Sequence, residues 1–153
     1  MKTLSLTLFL SFMLFSCSEQ KDPKLIEAAK LHNEATAIQA TLEVQVEGID
    51  SLISILNDKK KTIKNAGVIA HIDSVAAVLG AVSKNMEDWE ANLIEVPGMP
   101  HAENAGEHHH HEHKKAPDMS ADQMLQVQQE IKKGIEKIRD DLAKAEAMMQ
   151  GVL

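Results

Sequence analysis

Two groups of residues in this chain could do chemistry: a lone cysteine near the start and a histidine run past the middle. Cys17 is the only cysteine, and it follows directly on Leu14-Phe15-Ser16. No base stands beside it in sequence to activate a thiolate, so its position points to covalent lipid attachment rather than nucleophilic catalysis. The histidines are His108, His109, His110, His111 and His113, with His101 upstream. Neutral imidazole is a good ligand for zinc, copper and nickel. Glu107 and Glu112 add oxygen donors, and Met99 and Met119 add thioethers suited to cuprous copper. A structural zinc site spaces its ligands on a rigid frame, whereas a contiguous run offers many chelates and no single geometry. Three readings of the run stand side by side: a solubilising low-complexity loop, a metal-capturing element, and a pH-responsive one.

The cysteine reading depends on what precedes it. Lys2 supplies a positive charge, and the stretch from Thr3 to Phe15 is dominated by Leu, Phe and Met. An apolar core of about a dozen residues suits a signal peptide. It falls short of the roughly 20 residues that a spanning helix needs. Cleavage after Ser16 would remove residues 1–16 and leave Cys17 as a lipidated N-terminus, which places the protein in a bacterial envelope. Residues 17–23 then form a lipidated tether. Ser18, Glu19, Gln20, Lys21 and Asp22 extend at most about 17 Å. No other stretch reads as apolar enough to cross a membrane. With its one thiol used, the mature chain forms no disulfide.

The formal net charge is −7 over 153 residues. An acidic surface disfavours nucleic acid and binding to anionic lipid by charge. The lipid itself must make the membrane attachment. A chain of this length builds one domain with its own core.

The elements that must carry these groups are helices. Asp22-Pro23 is a helix-start signature. From there Leu25, His32, Gln39, Val46 and Ile53 recur every seven residues, as do Ala28, Ala35, Leu42, Ile49, Leu56 and Ile63. Two such series make a coiled-coil seam, with His32 and Gln39 as its polar members. This first helix is placed at 24–64. Asn57-Asp58 and Asn65-Ala66-Gly67 both offer a break, and the persistence of the heptad to Ile63 favours the later one. A second helix, 68–95, carries Val68, Ile72, Val75, Leu79, Val82, Met86, Trp89 and Leu93 on one face. Glu95-Val96-Pro97-Gly98 stops it. Residues 97–119, rich in Pro, Gly and His, read as a flexible loop. A third helix, 120–150, opens on a Ser120/Gln123 capping box. Its stripe is Met124, Ile131, Ile138, Ala145 and Val152, flanked by Ile135, Leu142 and Met149.

The expected fold is therefore all-α: an antiparallel up-down-up three-helix bundle over 24–153 with coiled-coil-like packing, preceded by a lipoprotein signal peptide. A longer helical hairpin that dimerises to four or six helices is the runner-up. In an upright bundle the histidine loop would lie at the membrane-proximal end and the C-terminus at the distal end. His32 and His71 would sit at opposite ends as packed core residues, so they would not share a metal. The pattern contains no Glu-x-x-His pair for a di-iron site, no Cys-x-x-Cys-His, no phosphate-binding glycine loop and no His-Glu-x-x-His. Glu87-Asp88 and Asp140-Asp141 read as solvent-facing charge. Lys59-Lys60-Lys61 reads as solvated surface.

Taken together, several stretches resemble a family of small Bacteroidota lipoproteins, some of them labelled viral A-type inclusion protein. They are Leu31-His32-Asn33-Glu34-Ala35, the run from Trp89 to Gly98, the histidine-rich loop, and the run from Asp118 to Gln128. The resemblance implies export to a two-membrane envelope and supplies no catalytic residue. It also implies that the Trp89–Gly98 stretch does more than end a helix.

The functional expectation is a membrane-anchored, non-enzymatic lipoprotein, most simply of the outer membrane, that binds an envelope protein or acts as a scaffold. Apolar surface left around Val96 and Met99 would serve that role. The alternative is a periplasmic metal-binding or buffering lipoprotein using the histidine loop with zinc, copper or nickel. An enzyme is disfavoured because the pattern promises no polar cleft. The sequence leaves the oligomeric state open.

Overall fold

The computed structural model describes residues 22–98 and 116–151, and among these it is all helix and connection. Four helices follow in order: α1 (Pro23–Glu47), α2 (Ile49–Lys60), α3 (Ala66–Glu90) and α4 (Ala121–Met149). The starts of α1 and α4 are built as the sequence signatures imply, whereas α3 starts at Ala66, two residues before the expected 68, on an Asn65 cap. The Asp22 carboxylate accepts from the Lys24 amide at 2.8 Å, with Pro23 in the first turn. Asn65 accepts from the amides of Gly67 at 2.9 Å and Val68 at 3.3 Å. Ser120 and Gln123 exchange bonds as a capping box, at 2.9 Å and 3.3 Å. Each cap satisfies backbone donors that the first helical turn leaves without partners.

Two boundaries differ from the expectation. The single first helix over 24–64 is interrupted at Gly48, which lies between α1 and α2. Glycine is the weakest helix former after proline and offers no side chain to pack across a break. The Leu52 amide still bonds the Gly48 carbonyl at 3.1 Å, so the helix restarts at once. The seam crosses the interruption without losing register: Leu42, Ile49 and Leu56 are all buried. The later of the two candidate breaks is the one that turns the chain, at Asn65.

The second helix ends at Glu90 rather than near residue 95. The Asn92 side chain donates to the Asp88 carbonyl at 2.7 Å, taking an acceptor at the helix end. Pro97 biases the residue before it away from helical geometry. Gly98, at φ +68°, then turns the chain in the left-handed region open to glycine. Leu93 and Val96 nevertheless remain buried, so the non-helical 91–98 segment is part of the packed structure.

Side-chain bonds give the relative directions of the elements. Residues 24, 32, 34 and 45 of α1 meet residues 122, 128, 132 and 146 of α4, so both sequences advance together. Between α3 and α4 the order reverses: Trp89 meets Ile131 while His71 meets Met148. Lys60 of α2 pairs with Asp73 of α3.

The main core joins Ala35, Leu42, Ile49 and Leu56 to the α3 stripe from Ile72 to Trp89, to Leu93 of the segment that follows, and to Ile135, Ile138, Leu142 and Ala145 of α4. A second, smaller core gathers Ala28, Val96 and Met124, with Leu25, Ile94, Ala116 and Met119 against them. It ties the start of α1 to the start of α4 and to both chain ends that bound residues 99–115.

Candidate functional site

The side chains that could carry chemistry fall into three places. Cys17, His101, His108, His109, His110, His111 and His113, together with Glu107, Glu112 and Met99, lie outside the described residues. Met119 is partly buried against the small core. Among the described residues, no group of three or more His, Cys, Asp or Glu side chains is placed to hold a metal ion.

The second place is a polar layer inside the helices. His32, Gln39 and Gln128 are the buried polar residues among those described. Gln128 is wholly buried and lies between two structures. Its Nε2 donates to the Ile94 carbonyl at 2.7 Å, and its Oε1 meets His32 Nδ1 at 3.3 Å. The heptad pattern places His32 on the seam of α1, and Gln128 stands at the equivalent place on α4, four residues after Met124 and seven before Ile135 in the series that continues to Leu142 and Met149. Two turns along α1 from His32, Gln39 donates to the Glu90 carboxylate at 2.9 Å. His71 is far away, its Nε2 2.9 Å from the Met148 carbonyl at the end of α4. The two histidines therefore occupy opposite ends, each in a packing role.

Trp89 adds a further fixed point. Its indole N–H donates to the Ile131 carbonyl at 2.8 Å, and it is nine-tenths buried. A β-carbon at Gly134 would approach the indole Cδ1 to 3.1 Å, so glycine in mid-helix makes room for the ring.

The third place is a cleft that sequence reasoning did not anticipate. It measures about 270 Å³ and is lined by Glu43, Glu47 and Asp50 on one wall and by Glu87 and Glu90 on the other, with Val46 and Met86 between. It opens beside Gly48, where the first arm changes from α1 to α2. A polar cleft is therefore present, contrary to expectation. Its charged groups are all carboxylates, and Ser83 adds a hydroxyl to the lining.

Surface charge is otherwise largely paired. Lys132 bonds Glu34 at 2.6 Å, which raises the lysine's proton affinity and holds the Glu34 carboxyl below the usual carboxylate range. The hydrogen bond is the larger cause in both cases, with charge attraction adding to it and desolvation opposing it. Hydrogen bonds and charge attraction from Asp122, Asp58 and Asp88 likewise raise Lys24, Lys61 and Lys84. Glu87 and Asp88 are exposed, as the sequence implied; Asp140 is exposed and Asp141 only half-exposed. Lys61 is exposed and Lys59 and Lys60 are half-exposed; Lys60 and Lys61 also pair with Asp73 and Asp58.

Two expectations about apolar surface are corrected. Val96 is buried rather than exposed, and among the described residues the large hydrophobic side chains left in solvent are Ile26, Val44 and Ile55. Among the described residues one helix, α3, is long and apolar enough by length and composition to cross a membrane. Its apolar stripe from Ile72 to Trp89 is buried within the main core, and soluble core helices meet the same criterion.

No family model, curated protein or solved structure matches the chain.

Proposed function

We propose that this chain is a bacterial envelope lipoprotein of the kind its sequence resembles: a helical module without catalytic activity, tethered through Cys17, that holds or binds another envelope component. Its helices are read as an up-down-up bundle, a reading supported by the shared direction of α1 and α4 and the opposed direction of α3. The observation that carries the functional reading is the shared location of three chain ends. The start of α1, which follows the tether, meets Val96 and Ala116 in the small core, joined by the Lys24–Asp122 ion pair. A tether at that end would hold the histidine-bearing residues near the bilayer and send the far ends of α1 and α4 outward. The buried polar groups support the same reading, because Gln39 and Gln128 spend their hydrogen bonds on packing.

Replacing Cys17 with Ser removes the sulfur that would carry the lipid. In cells that process lipoproteins, the wild-type chain should sediment with membranes, and the Cys17→Ser chain should lose that association while keeping its helical circular-dichroism spectrum. Equal sedimentation of the two chains would contradict the proposal.

Metal binding by His101, His108–His111 and His113 is the second reading. One observation favours it: Val96 and Ala116, which flank the histidines in sequence, pack into one small core, and bringing the two ends of a segment together lowers the entropy cost of capturing a shared ligand. Calorimetric titration with zinc, copper and nickel, against the isolated loop peptide, separates the readings. Tighter binding by the whole chain favours metal capture, and equal binding counts against it.

A further inference from the structure

Ile26, Val44 and Ile55, the large hydrophobic side chains left in solvent among the described residues, are 53%, 75% and 58% exposed. Val44 follows Ile26 by 18 residues, and Ile55 follows Val44 by 11. Those steps are about five and about three helical turns, so the three side chains stand on one line. The line crosses from α1 to α2 intact, because register survives the interruption: Leu42, Ile49 and Leu56 stay buried on the opposite side. Past Lys30 it runs through Asn33, Ala37, Ala40, Gly48 and Ser51, and it meets no charge until Asp58. Asn33 is half-buried and the others are exposed. The two charges that bracket the line are balanced within the chain. Lys30 lies 3.8 Å from Glu27 and 3.9 Å from Glu34, and Asp58 pairs with Lys61 at 2.7 Å. Glu43, Glu47 and Asp50 belong to the acidic cleft at one side. Single exposed apolar residues need no explanation, but an aligned, uncharged face does.

Gly48 adds a second observation. Its φ is −76°, which any residue adopts. A β-carbon there would come no closer than 3.5 Å to another atom, at the Gln45 carbonyl. Neither the backbone nor the interior calls for glycine, which costs about 1 kcal/mol against alanine inside a helix. Its lack of a side chain leaves room on the outer face instead. With Ala37, Ala40 and Ser51 it surrounds Val44 with small side chains, and small side chains let two helix axes approach closely.

We propose that this outer face of α1 and α2 pairs with the same face of a second copy, the two chains parallel and side by side, so that Ile26, Val44 and Ile55 each meet their counterparts. The pairing rests on the lipid tether proposed above. At a net charge of −7 two copies repel each other in general, but along this line neither presents charge. The line is about 44 Å long, and at a width of about 10 Å two copies would bury about 900 Å² in all. A stable interface in solution buries about 1,200 Å² or more, so the face is too small to hold a dimer alone. Tethering supplies the remainder: anchored copies share one surface and one orientation, which raises their effective concentration. A bilayer surface fits the face less well, since α1 and α2 carry Glu27, Glu34, Glu43 and Glu47 near it and no Trp, Phe or Tyr.

Cysteine crosslinking of the full chain in lipoprotein-processing cells tests the pairing. With Cys17 lipidated, an introduced cysteine is the only free thiol. Under mild oxidation, membrane-borne Val44→Cys should form at least about tenfold more disulfide-linked dimer than Lys133→Cys, an exposed position on α4, as raised effective concentration at a matched face requires. Ile26→Cys and Ile55→Cys should each link to their own kind. Ala40→Glu, which sets a charge on the line, should lower the Val44→Cys yield about tenfold, the equivalent of about 1.4 kcal/mol. A chain that does not sediment with membranes overturns the tether, and the pairing with it. A chain that sediments but links no better at 44 than at 133 overturns the pairing alone. Linking of Ile26→Cys to Ile55→Cys, indifference to Ala40→Glu, or a Val44→Cys thiol shielded from a soluble maleimide without dimer would also overturn it, the last by pointing to lipid or another protein as the occupant.

Discussion

The two ends of the helical assembly are built by different means. Where α2 packs on α3, the interior is aliphatic: Ile49, Leu56, Ile72, Val75 and Leu79 are at most 1% exposed. Where α1 starts beside α4, the interior combines small residues with polar ones: Ala28, His32, Ala35, Gln39 and Gln128. Aliphatic packing rewards burial of area and tolerates a shifted partner of similar volume. The polar layer does not. Gln128 makes its two bonds only when α1, α4 and the 91–98 segment are all in place, and a slip of one residue in any of them leaves buried groups unpaired. One end therefore supplies most of the stability, and the other specifies which register is stable.

The largest expected effect lies at the aliphatic end. Leu79 is wholly buried, and Leu79→Ala should cost about 2–5 kcal/mol in denaturant unfolding, from lost transfer energy and the cavity left behind. A cost below that of disrupting Gln128 would reverse the assignment of roles.

At the polar end, Gln128→Ala should cost about 1–3 kcal/mol by removing the bonds to the buried Ile94 carbonyl and to His32 Nδ1. Gln128→Leu combined with His32→Leu removes both side-chain partners and should cost less than the sum of the single changes. Unfolding free energies for the two singles and the double form a cycle that measures the coupling. Strict additivity would mean that the pair does not act as a unit.

The smallest effect is on the surface between them. The Glu34 carboxyl is held low by Lys132, so its contribution is present above the carboxyl's unfolded-chain value and is lost as pH falls through the depressed folded value. Lys132→Met should return the Glu34 titration, followed by carboxyl NMR, toward the ordinary range near 4.5. It should also flatten the acid limb of the stability curve. On the alkaline side, Lys132 contributes below its unfolded value near 10.5, a contribution lost as pH rises through the raised folded value. An unmoved Glu34 titration would remove the ion pair from the account.

What the sequence revealed follows the same division. The seam of α1, the α3 stripe and the caps at Asp22 and Ser120 were legible because they depend on local spacing and short-range hydrogen bonds; Asn65 was read as a break and not as the cap of α3. The interruption at Gly48 and the early end at Glu90 were not, because they reflect a weak helix former and an Asn92 side chain competing with the backbone. Gln128 was legible only in part. Its place seven residues before Ile135 marks the buried face, but its partners are 34 and 96 residues away in sequence, so nothing local says what it bonds. The acidic cleft shares that cause, since its walls belong to residues near 43–50 and 83–90 that only tertiary packing brings together. The residues with the clearest chemical signal, Cys17 and the histidine run, lie outside the described residues, so their reading rests on sequence alone.

The intact mass of the protein recovered from the envelope of its own cells tests the central claim most directly. The account predicts a chain that begins at residue 17 and carries a diacylglycerol thioether on Cys17. A chain that still begins at Met1, or one that begins at Cys17 with a free thiol, would contradict it.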